Sequence, residues 1–343
     1  MTHYNLALLG FGSVGQAFAR LLHRKESEVK ETFGITFSVT AIATGSRGRA
    51  INPGGIDLEQ ALALIESGQS LNTLSAAPAP DDNIAFIKTS GADLLFENTP
   101  VSYSDGQPAL DHLRVALENG MHALTANKGP VVHGYHQLKM LGEQVGKKFF
   151  FESTVMDGAP VFGLFRETLP AGQISAINGV LNSTTNLILT RMENGETFDQ
   201  AVAYAQSIGI AETDPSGDVD GWDSAVKISA LITVMMDAPF TPDKVDREGI
   251  RGVTPEMIAA AKSNSKRWKL VCTAINQDGE ISAKVAPQQV SPNNPMYTID
   301  GTTSIVTIQS DVLGDLSLIE SDPGPHTTAY GLLADFINAT RAE

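Results

Sequence analysis

Residues 212–227 read ETDPSGDVDGWDSAVK and place five carboxylates and one lysine close together. The apolar run ISALITVMM follows directly, so we expect Lys227 to begin a helix at the margin of an apolar core. Asp223 precedes Lys227 by four residues, a spacing that puts both side chains on one helix face. A lysine can exchange a proton with an alcohol if burial or a neighbouring cation lowers its pKa, whereas a nearby carboxylate raises that pKa. The alternative is an exposed Asp–Lys pair that stabilises the helix by ~0.2–0.5 kcal/mol.

An EF-hand calcium loop is a second alternative for this acidic segment. In the closest register, which begins at Ser216, Asp218 and Asp220 take loop positions 3 and 5, and Gly221 takes position 6. Position 12, normally a bidentate glutamate, falls on Lys227, whose positive charge would repel calcium. The pattern therefore favours a catalytic site over a calcium site.

The N-terminal segment NLALLGFGSVGQAFARLLHRK contains the pattern Gly-x-Gly-x-x-Gly. An apolar, strand-like run at 6–9 precedes this pattern, and apolar residues follow it at helical spacing. In such a unit the first glycine permits a tight turn, the second lets phosphates approach the backbone, and the third lets the helix pack closely. A glycine turn in an unrelated α/β unit is the alternative. The pattern predicts a dinucleotide site formed by Gly10, Gly12, Ser13, Val14 and Gly15.

The end of the predicted second strand, residues 37–44, bears on which dinucleotide binds. An NAD site usually has Asp or Glu at this point, where the carboxylate holds the ribose hydroxyls. This chain has Thr44-Gly45-Ser46-Arg47-Gly48 instead, so no acid would repel a 2′-phosphate and Arg47 could pair with one. The segment favours NADP over NAD, and the alternative is that Arg47 is only a loop cation.

Strands and helices alternate along the first third of the chain. ADLLFENTP and HALTANKGPV have the apolar pattern of strands, and PALDHLRVALENG between them has that of an amphipathic helix. This alternation predicts an α/β fold class with a doubly wound parallel sheet, whose ligands bind at the carboxyl ends of the strands. Gly10, Thr99 and Lys128 lie at such ends, which favours a functional Lys128 over a merely solvated one.

Composition excludes several classes of partner. The formal net charge is −15 and Lys and Arg form no cluster, so we expect neither nucleic acid nor an anionic membrane as a partner. The single cysteine, Cys272, excludes an intramolecular disulfide and a cysteine metal cluster. No apolar run approaches the ~20 residues of a membrane span. We therefore expect a soluble protein of a reducing compartment, the cytoplasm.

Several separate stretches resemble homoserine dehydrogenases. Residues 182–186, NSTTN, place five hydrogen-bonding side chains in one turn, more than a helix N-cap needs. The stretches that resemble the family occur in the family's order and cover nearly the whole chain: GFGSVG, ENTP, TANKGP, FESTVMDGAP, GVLNSTTNLIL, TDPSGDVDGWDSAVK and REGI. The stretches after residue 180 are more specific than the glycine pattern.

The resemblance implies NAD(P)-dependent interconversion of L-homoserine and L-aspartate 4-semialdehyde, in threonine, methionine and isoleucine biosynthesis. By position, Lys227 resembles the family's catalytic lysine and Lys128 its second active-site lysine. We expect the substrate, a small amino acid, to be bound by Glu212, Asp223, Asp218, Asn182 and Thr184. Besides the glycine turn and Arg47, the expected cofactor-binding residues are Thr99, Pro100, Lys128 and Gly324. A monovalent cation site, usually sodium, would involve Glu152, Val155, Asp157 and Ala159, largely through backbone carbonyls.

The resemblance also implies a division into domains. We expect a Rossmann-type, doubly wound nucleotide-binding domain over residues 1–135 and an α+β domain for substrate binding, catalysis and dimerisation over 136–315. A C-terminal helix within 316–343 is expected to pack back on the first domain. The family is typically homodimeric, and strands near 268–311 could form the interface. The chain ends about where the family's catalytic core ends, so we expect no regulatory domain and no feedback inhibition by threonine through one.

Two other functions compete with this interpretation. Another NAD(P)-dependent oxidoreductase of amino-acid metabolism, aspartate-semialdehyde dehydrogenase, needs a cysteine nucleophile. Cys272 follows WKLV in an apolar stretch, which indicates a core thiol rather than a nucleophile. A non-catalytic, nucleotide-sensing protein would not need the two lysines and the acids, and their presence argues against that class.

Overall fold

The structure, a computed structural model, describes residues 1–341. The chain divides into two compact units. Unit 1 combines Met1–Pro160 with the described residues from Gly324 onward, and unit 2 is the intervening stretch Val161–Pro323. Unit 1 is thus built from two separate stretches of chain. These limits differ from the residues 135 and 315 that we expected from the sequence.

Unit 1 is built on a six-stranded sheet with the order β3-β2-β1-β4-β5-β6. Neighbouring strands are parallel except for β3, which pairs antiparallel with β2 at one edge. The central strands are buried apolar runs, as parallel strands covered on both faces require. The strands are β1 Thr2–Leu9, β2 Ile35–Ala43, β3 Arg49–Ile51, β4 Leu94–Glu97, β5 His122–Thr125 and β6 Phe149–Phe150.

Helices connect these strands and cover both faces of the sheet. Their bounds are α1 Ser13–Phe33, α2 Leu58–Glu66, α3 Asn83–Thr89, α4 Ala109–Glu118 and α5 Lys128–Val145. One apolar core includes Phe18 and Leu22 of α1, and a second includes Phe86 of α3 and Val115 of α4. This arrangement confirms the doubly wound α/β prediction. Residue 135 lies inside α5, which explains why the chain does not divide there.

Unit 2 contains a second six-stranded sheet, with the order β12-β11-β7-β9-β10-β8. Its pairs are antiparallel except for the short parallel pair of β10 with β8. Its elements are α6 Val161–Thr168, β7 Ile174–Val180, α7 Ser183–Glu193, α8 Phe198–Ser207, α9 Ser216–Val219, α10 Trp222–Met235, β8 Asp246–Arg247, α11 Pro255–Ser263, β9 Arg267–Gln277, β10 Glu280–Val290, β11 Ser304–Ser310 and β12 Gly314–Glu320. The predicted α+β class is confirmed.

Helix α10 is buried over almost its whole circumference. Apart from Trp222 and Lys227, all its residues are buried, as expected for a helix whose sequence is apolar on every side. Trp222 is covered in part by the guanidinium of Arg247, 3.7 Å from the ring centroid. The burial of the rest of the helix places Lys227 at the margin of the core, as its sequence context predicts.

The last helix, α12 Pro325–Thr340, belongs to unit 1. Phe336 packs edge-on against Phe37 and Phe96, with ring centroids 5.8 and 6.3 Å away. Tyr4 of β1 donates a hydrogen bond to the carbonyl of Thr340 at 3.2 Å. Residues 316–320 of the expected C-terminal segment instead continue β12 in unit 2. Within residues 1–341 no helix combines the length and apolar character needed to cross a membrane.

Candidate active site

A hydrogen-bonded cluster in unit 2 is centred on Asn182, the N-cap residue of α7. Its Oδ1 accepts from the backbone N–H of Thr185 at 2.8 Å. Its Nδ2 donates to Asp218 Oδ1 at 2.6 Å and to Asp223 Oδ2 at 3.0 Å. Carboxylates only accept hydrogen bonds, which is consistent with this orientation of the amide. One side chain therefore both caps α7 and brings two carboxylates together.

Lys227 completes this cluster. Its Nζ lies 3.0 Å from Asp223 Oδ2, which confirms the predicted i,i+4 pair, and donates to the carbonyl of Leu181 at 2.7 Å. The side chain is only 15% exposed, so the pair is not the solvated one considered as an alternative. An ammonium group has three donors, and two of those of Lys227 are used among residues 1–341. The third is available to a substrate oxygen.

The two carboxylates of the cluster repel each other. Burial raises the pKa of Asp218 above its usual value, and the charge of Asp223 raises it further, while the hydrogen bond from Asn182 opposes both effects. Thr184, also predicted for this site, uses its hydroxyl to donate to the carbonyl of Ile210 at 3.3 Å. A cationic group bound beside Asp218 and Asp223 would relieve the repulsion, so the cluster fits an ammonium-bearing ligand.

The other three acids of the segment 212–227 lie outside the cluster. Glu212 is exposed, and its side chain forms no hydrogen bond or ion pair within the described part of the chain. Asp214 accepts from the backbone N–H of Ser216 at 3.0 Å, and Asp220 pairs with Arg251. The structure thus assigns structural contacts to Asp214 and Asp220, and it does not bring Glu212 to Lys227.

The glycine turn of unit 1 has the geometry of a phosphate site. Gly10 has a φ of 98°, and a Cβ there would lie 2.3 Å from the carbonyl oxygen of Asn98. A Cβ on Gly15 would lie 2.4 Å from the carbonyl oxygen of Gly10, so both positions require glycine. A Cβ on Gly12 would meet nothing within 4 Å, so there is open space beside it.

The start of α1 offers unpaired donors to that space. The first N–H groups of a helix have no partner within the helix, and those of α1 belong to Ser13, Val14 and Gly15. Among the described residues, no side chain caps this end. Backbone donors, open space and the positive end of a helix dipole together fit a pyrophosphate group.

The carboxyl end of β4 contains a residue that sequence reasoning missed. Both polar atoms of the Asn98 side chain, Oδ1 and Nδ2, are buried and have no hydrogen-bond partner among residues 1–341. Buried amide groups are normally paired, so this one fits a bound polar ligand. The signal in the sequence was its position between Glu97 and Thr99, directly after an apolar strand.

Thr99 and Pro100 follow Asn98, and hydrogen bonds to their main-chain carbonyls hold them in place. Asn127 Nδ2 donates to the carbonyl of Thr99 at 3.0 Å and lies 3.4 Å from that of Pro100. Asn127 also caps α5 by accepting from the backbone N–H of Gly129 at 3.0 Å. Lys128, half-buried, is the first residue of α5. The structure therefore places Thr99, Pro100 and Lys128 at the carboxyl ends of β4 and β5, and we call this end of the unit 1 sheet the strand-end edge.

A cavity of about 780 Å³ lies beyond the end of β2. Arg47 does not line it; its Nη1 is 3.4 Å from the carbonyl of Ile65, which it faces as a donor. Arg49 does line the cavity, and its Nη1 donates to the carbonyl of Pro80 at 3.2 Å. Sequence reasoning missed Arg49, although it lies only two residues beyond Arg47. Other lining residues are Thr44, Gly45, Ser46, Asn72 and Asp81.

The segment expected to hold a monovalent cation packs against α12 within unit 1. Glu152 is buried in a short 3-10 helix, Glu152–Thr154, and its backbone N–H donates to Asp335 Oδ2 at 2.8 Å. Asp157 adopts a φ of 42°, and its Oδ2 accepts from Thr327 Oγ1 at 3.3 Å. The buried Val155 and the turn residue Ala159 complete the expected set.

Two further observations concern this segment and its surroundings. Gly324 is the N-cap residue of α12. Across residues 1–341 no group of three or more His, Cys, Asp or Glu side chains could hold a metal. The expected cation site relies mainly on carbonyls, so it stays a prediction.

Cys272 is a core residue. It is fully buried in β9, and burial raises the pKa of its thiol to about 12. A thiol of this kind is not ionised near neutral pH, so Cys272 is unsuited to act as a nucleophile.

The glycine turn of unit 1 fits a dinucleotide, and the lysine–carboxylate cluster of unit 2 fits an ammonium-bearing ligand, as expected of a nicotinamide-nucleotide-dependent oxidoreductase. The family model "Homoserine dehydrogenase, NAD binding domain" matches residues 10–152, and the model "Homoserine dehydrogenase" matches residues 160–337. The chain belongs to the homoserine dehydrogenase family and is an NAD(P)-dependent oxidoreductase.

Relatives match along nearly the full length of the chain. An NAD(+)-dependent homoserine dehydrogenase of Pseudomonas canavaninivorans is 36% identical and covers 98% of this chain and 96% of its own. A homoserine dehydrogenase of Methanocaldococcus jannaschii is 33% identical, covering 97% and 98%. The structure of a hyperthermophilic archaeal homoserine dehydrogenase mutant in complex with NADPH has a TM-score of 0.83 at 32% identity, covering 99% and 98%.

Proposed function

We propose that Lys227 carries the proton in the interconversion of L-homoserine and L-aspartate 4-semialdehyde. Oxidising the alcohol releases a hydride and a proton, and a nicotinamide held by unit 1 would supply the acceptor for the hydride. Neutral Lys227 would take the proton from the hydroxyl, and its ammonium form would return it during reduction. The observation that carries this role is the Nζ anchored by Leu181 and Asp223, with its third donor position available. Lys128, at the strand-end edge of unit 1, is proposed as the second active-site lysine.

We assign recognition of the substrate's α-ammonium to Asp218 and Asp223. Both accept from Asn182, so their positions are set before substrate arrives, which reduces the entropy lost on binding. The ammonium group would relieve the repulsion that raises the pKa of Asp218. Thr184 lies in the same turn and is proposed to contact the substrate's carboxylate. Glu212, on the exposed loop between α8 and α9, is also proposed to contact the substrate's α-ammonium.

We propose NADP as the preferred cofactor. The loop directly after β2 has no acid; Arg49 and Asp81 both line the cavity beyond it, and Arg49 could pair with a 2′-phosphate. Arg47 lies nearby as an exposed, second cation. The phosphates would lie against Gly10, Gly12 and the start of α1, and the sequence-predicted Gly324 retains a proposed cofactor role. The relatives include both an NAD(+)-dependent enzyme and an enzyme solved in complex with NADPH.

Three expectations accompany this proposal. A sodium ion would be held by Glu152, Val155, Asp157 and Ala159, and kinetics with sodium replaced by a bulky organic cation test this. A homodimer would use the sheet of unit 2, and light scattering after size-exclusion chromatography measures the mass. The cytoplasmic location is tested by fractionating cells.

The decisive measurement is absorbance at 340 nm with L-homoserine and NADP, and then with NAD. We expect turnover by the parent enzyme, loss of turnover in Lys227→Ala, and activity within about twofold of the parent in Cys272→Ser. Absence of turnover in the parent would overturn the catalytic proposal. Loss of activity in Cys272→Ser instead would favour thiol chemistry.

A further inference from the structure

We infer that Glu97 is a positioning residue for the strand-end edge of unit 1. Its hydrogen bonds hold the ends of β4 and β5 in register. It never touches a ligand, because its side chain is completely buried. The inference rests on the proposed placement of the cofactor at this edge.

Glu97 contacts two neighbouring strand ends, through its carboxylate and through its main-chain carbonyl. Its Oε1 accepts from the backbone N–H of Thr99 at 3.2 Å and also from the Thr99 hydroxyl. Its Oε2 lies 3.3 Å from the hydroxyl of Thr125, which donates to the Glu97 carbonyl at 2.8 Å. A carboxylate presents acceptors to both threonines, whereas an amide in its place would have to turn its NH₂ group towards either Thr99 or Thr125.

Side chains of α3 and α4 support the carboxylate through hydrogen bonds. His112 Nδ1 of α4 lies 3.4 Å from Glu97 Oε1, and His112 Nε2 lies 3.0 Å from Asn83 Nδ2. An amide nitrogen can only donate, so Nε2 accepts and the ring proton of the neutral form is on Nδ1, facing Glu97. His112 is itself buried, which keeps this arrangement away from water.

The hydrogen bonds continue from Glu97 to the start of α5. Thr125 Oγ1 accepts from the backbone N–H of Asn127 at 2.9 Å. Asn127 in turn holds the carbonyl of Thr99 and caps α5, the helix that begins with Lys128. The path from Glu97 through Thr125 and Asn127 returns to Thr99, so it forms a closed ring. A change at Glu97 would shift Thr99 and the start of α5 together.

Stability alone does not account for a carboxylate at this position. The other residues of β4, at 94–96, are Leu, Leu and Phe, and all are fully buried. Burying an ionised carboxylate is costly even when it is hydrogen-bonded, and apolar replacements are often as stable or more so. The donors that offset this cost belong to the loops that present Asn98, Thr99 and Lys128, which is why we assign Glu97 a positioning role.

The test compares Glu97→Gln with Asp93→Asn. Asp93 directly precedes the same strand, and its Oδ2 accepts from the backbone N–H of Asn5 at 2.7 Å. This contact lies at the end of β4 opposite to the strand-end edge. Both variants replace a hydrogen-bonded carboxylate by its amide, so they are matched in chemistry. The measurements are the thermal midpoint, the Kd for NADPH by fluorescence titration, and kcat and KM for homoserine.

We expect Glu97→Gln to raise the Kd for NADPH and lower kcat, together reducing kcat/KM by about tenfold to a hundredfold, because small misplacements of reacting groups are costly. Asp93→Asn should keep the Kd for NADPH and kcat/KM within twofold of the parent, even if its thermal midpoint falls as much as that of Glu97→Gln. Equal kinetic losses in the two variants, or none in Glu97→Gln, would overturn the inference.

A second pair keeps the test valid if Glu97→Gln does not fold. Thr125→Val removes the hydroxyl that links Glu97 to Asn127 but keeps the shape, whereas Thr125→Ser keeps the hydroxyl. Thr125→Val should reproduce the kinetic losses and Thr125→Ser should restore near-parental values; equal behaviour of the two contradicts the inference. Gly12→Ala tests the cofactor placement separately, because unchanged NADPH binding in that variant would refute the placement whatever Glu97 does.

Discussion

The strand-end edge of unit 1 and the acidic cluster of unit 2 are built from different groups. The edge of unit 1 offers mainly backbone N–H groups and open space beside Gly12, and its side chains hold that backbone in place. The cluster of unit 2 offers side chains, with Lys227 and two carboxylates set by Asn182. A backbone-built site depends on conformation, so it is sensitive to added side-chain atoms. A side-chain-built site depends on charge, so it is sensitive to isosteric changes that leave the conformation intact.

The largest effect is expected from the charge-dependent site. Lys227→Met keeps most of the side-chain volume and removes the proton carrier, so kcat should fall by roughly 10²–10⁴. The Kd for NADPH should stay within twofold, since binding would rest on unit 1. Lys262→Met, an exposed lysine of α11, is the control and should retain kcat. A large loss of NADPH affinity in Lys227→Met would contradict the division of roles between the two units.

Asp218→Asn should lower activity while it raises stability at neutral pH. Losing a charge-assisted hydrogen bond of roughly 1.5–3 kcal/mol should lower kcat/KM for homoserine by about 10- to 150-fold. The raised pKa means that the folded state binds the Asp218 proton more tightly than the unfolded chain does. The associated stability is therefore fully present below the unfolded value of 3.8 and is lost as the pH rises through the raised pKa.

The Asp218→Asn variant has no carboxyl group to ionise, so it does not lose stability in this way as the pH rises. At pH 7 the thermal midpoint of Asp218→Asn should exceed that of the parent. The difference should shrink as the pH is lowered towards 4. Melting curves across this pH range measure it, and a variant less stable than the parent at pH 7 would contradict the electrostatic explanation.

Two glycine variants test the conformation-dependent site. Gly12→Ala should fold with a stability close to that of the parent, because its Cβ meets no atom, yet raise the Kd for NADPH by about tenfold or more by filling space beside the phosphates. Gly10→Ala should lose NADPH binding and also roughly 1–3 kcal/mol of stability, because its φ of 98° and the approach to Asn98 strain any side chain. Titration and chemical denaturation measure both effects.

Arg49→Leu and Arg47→Leu compare the two candidate contacts to a 2′-phosphate. We expect Arg49→Leu to lower the ratio of kcat/KM for NADP over NAD by about tenfold, the equivalent of one charge-assisted hydrogen bond. Arg47→Leu should change that ratio by less than about threefold, because its guanidinium faces Ile65. The reverse order would restore the assignment made from sequence.

The smallest effect is expected at Asp220, an acid of the same segment outside the cluster. Asp220→Asn removes an ion pair with the half-exposed Arg251, so stability should fall by at most ~1 kcal/mol. The values of kcat and KM should stay within twofold. A catalytic defect in this variant would show that carboxylates of the segment act collectively rather than one by one.

Sequence patterns predicted the features that depend on local spacing. The glycine turn and α1, the Asp223–Lys227 pair and the core position of Cys272 were all confirmed by the structure. Each depends on residues a few positions apart, or on an apolar run, where periodicity is informative. The class of each sheet also followed from the alternation of elements and from the family resemblance.

Several features that depend on tertiary contacts were not predicted. Nothing in the spacing of Arg47 and Arg49 shows that the first faces Ile65 and the second lines a cavity. Glu212 lies in the same acidic run as Asp218, yet only the latter is brought to Asn182, because the fold of the loop decides. The acid at the end of the apolar run LLFE was a signal that could have identified Glu97.

The return of α12 to unit 1 has a consequence for how the protein forms on the ribosome. Phe336 and the apolar residues around it complete the core that β1, β2 and α1 begin, but Val161–Pro323 must be synthesised first. At roughly 5–20 residues per second, this delay lasts about 10–30 s. During that time the aromatic rings of Tyr4, Phe37 and Phe96 lack their partner from α12. Unit 1 begins first yet is completed last, which makes its nascent form a natural client for chaperones.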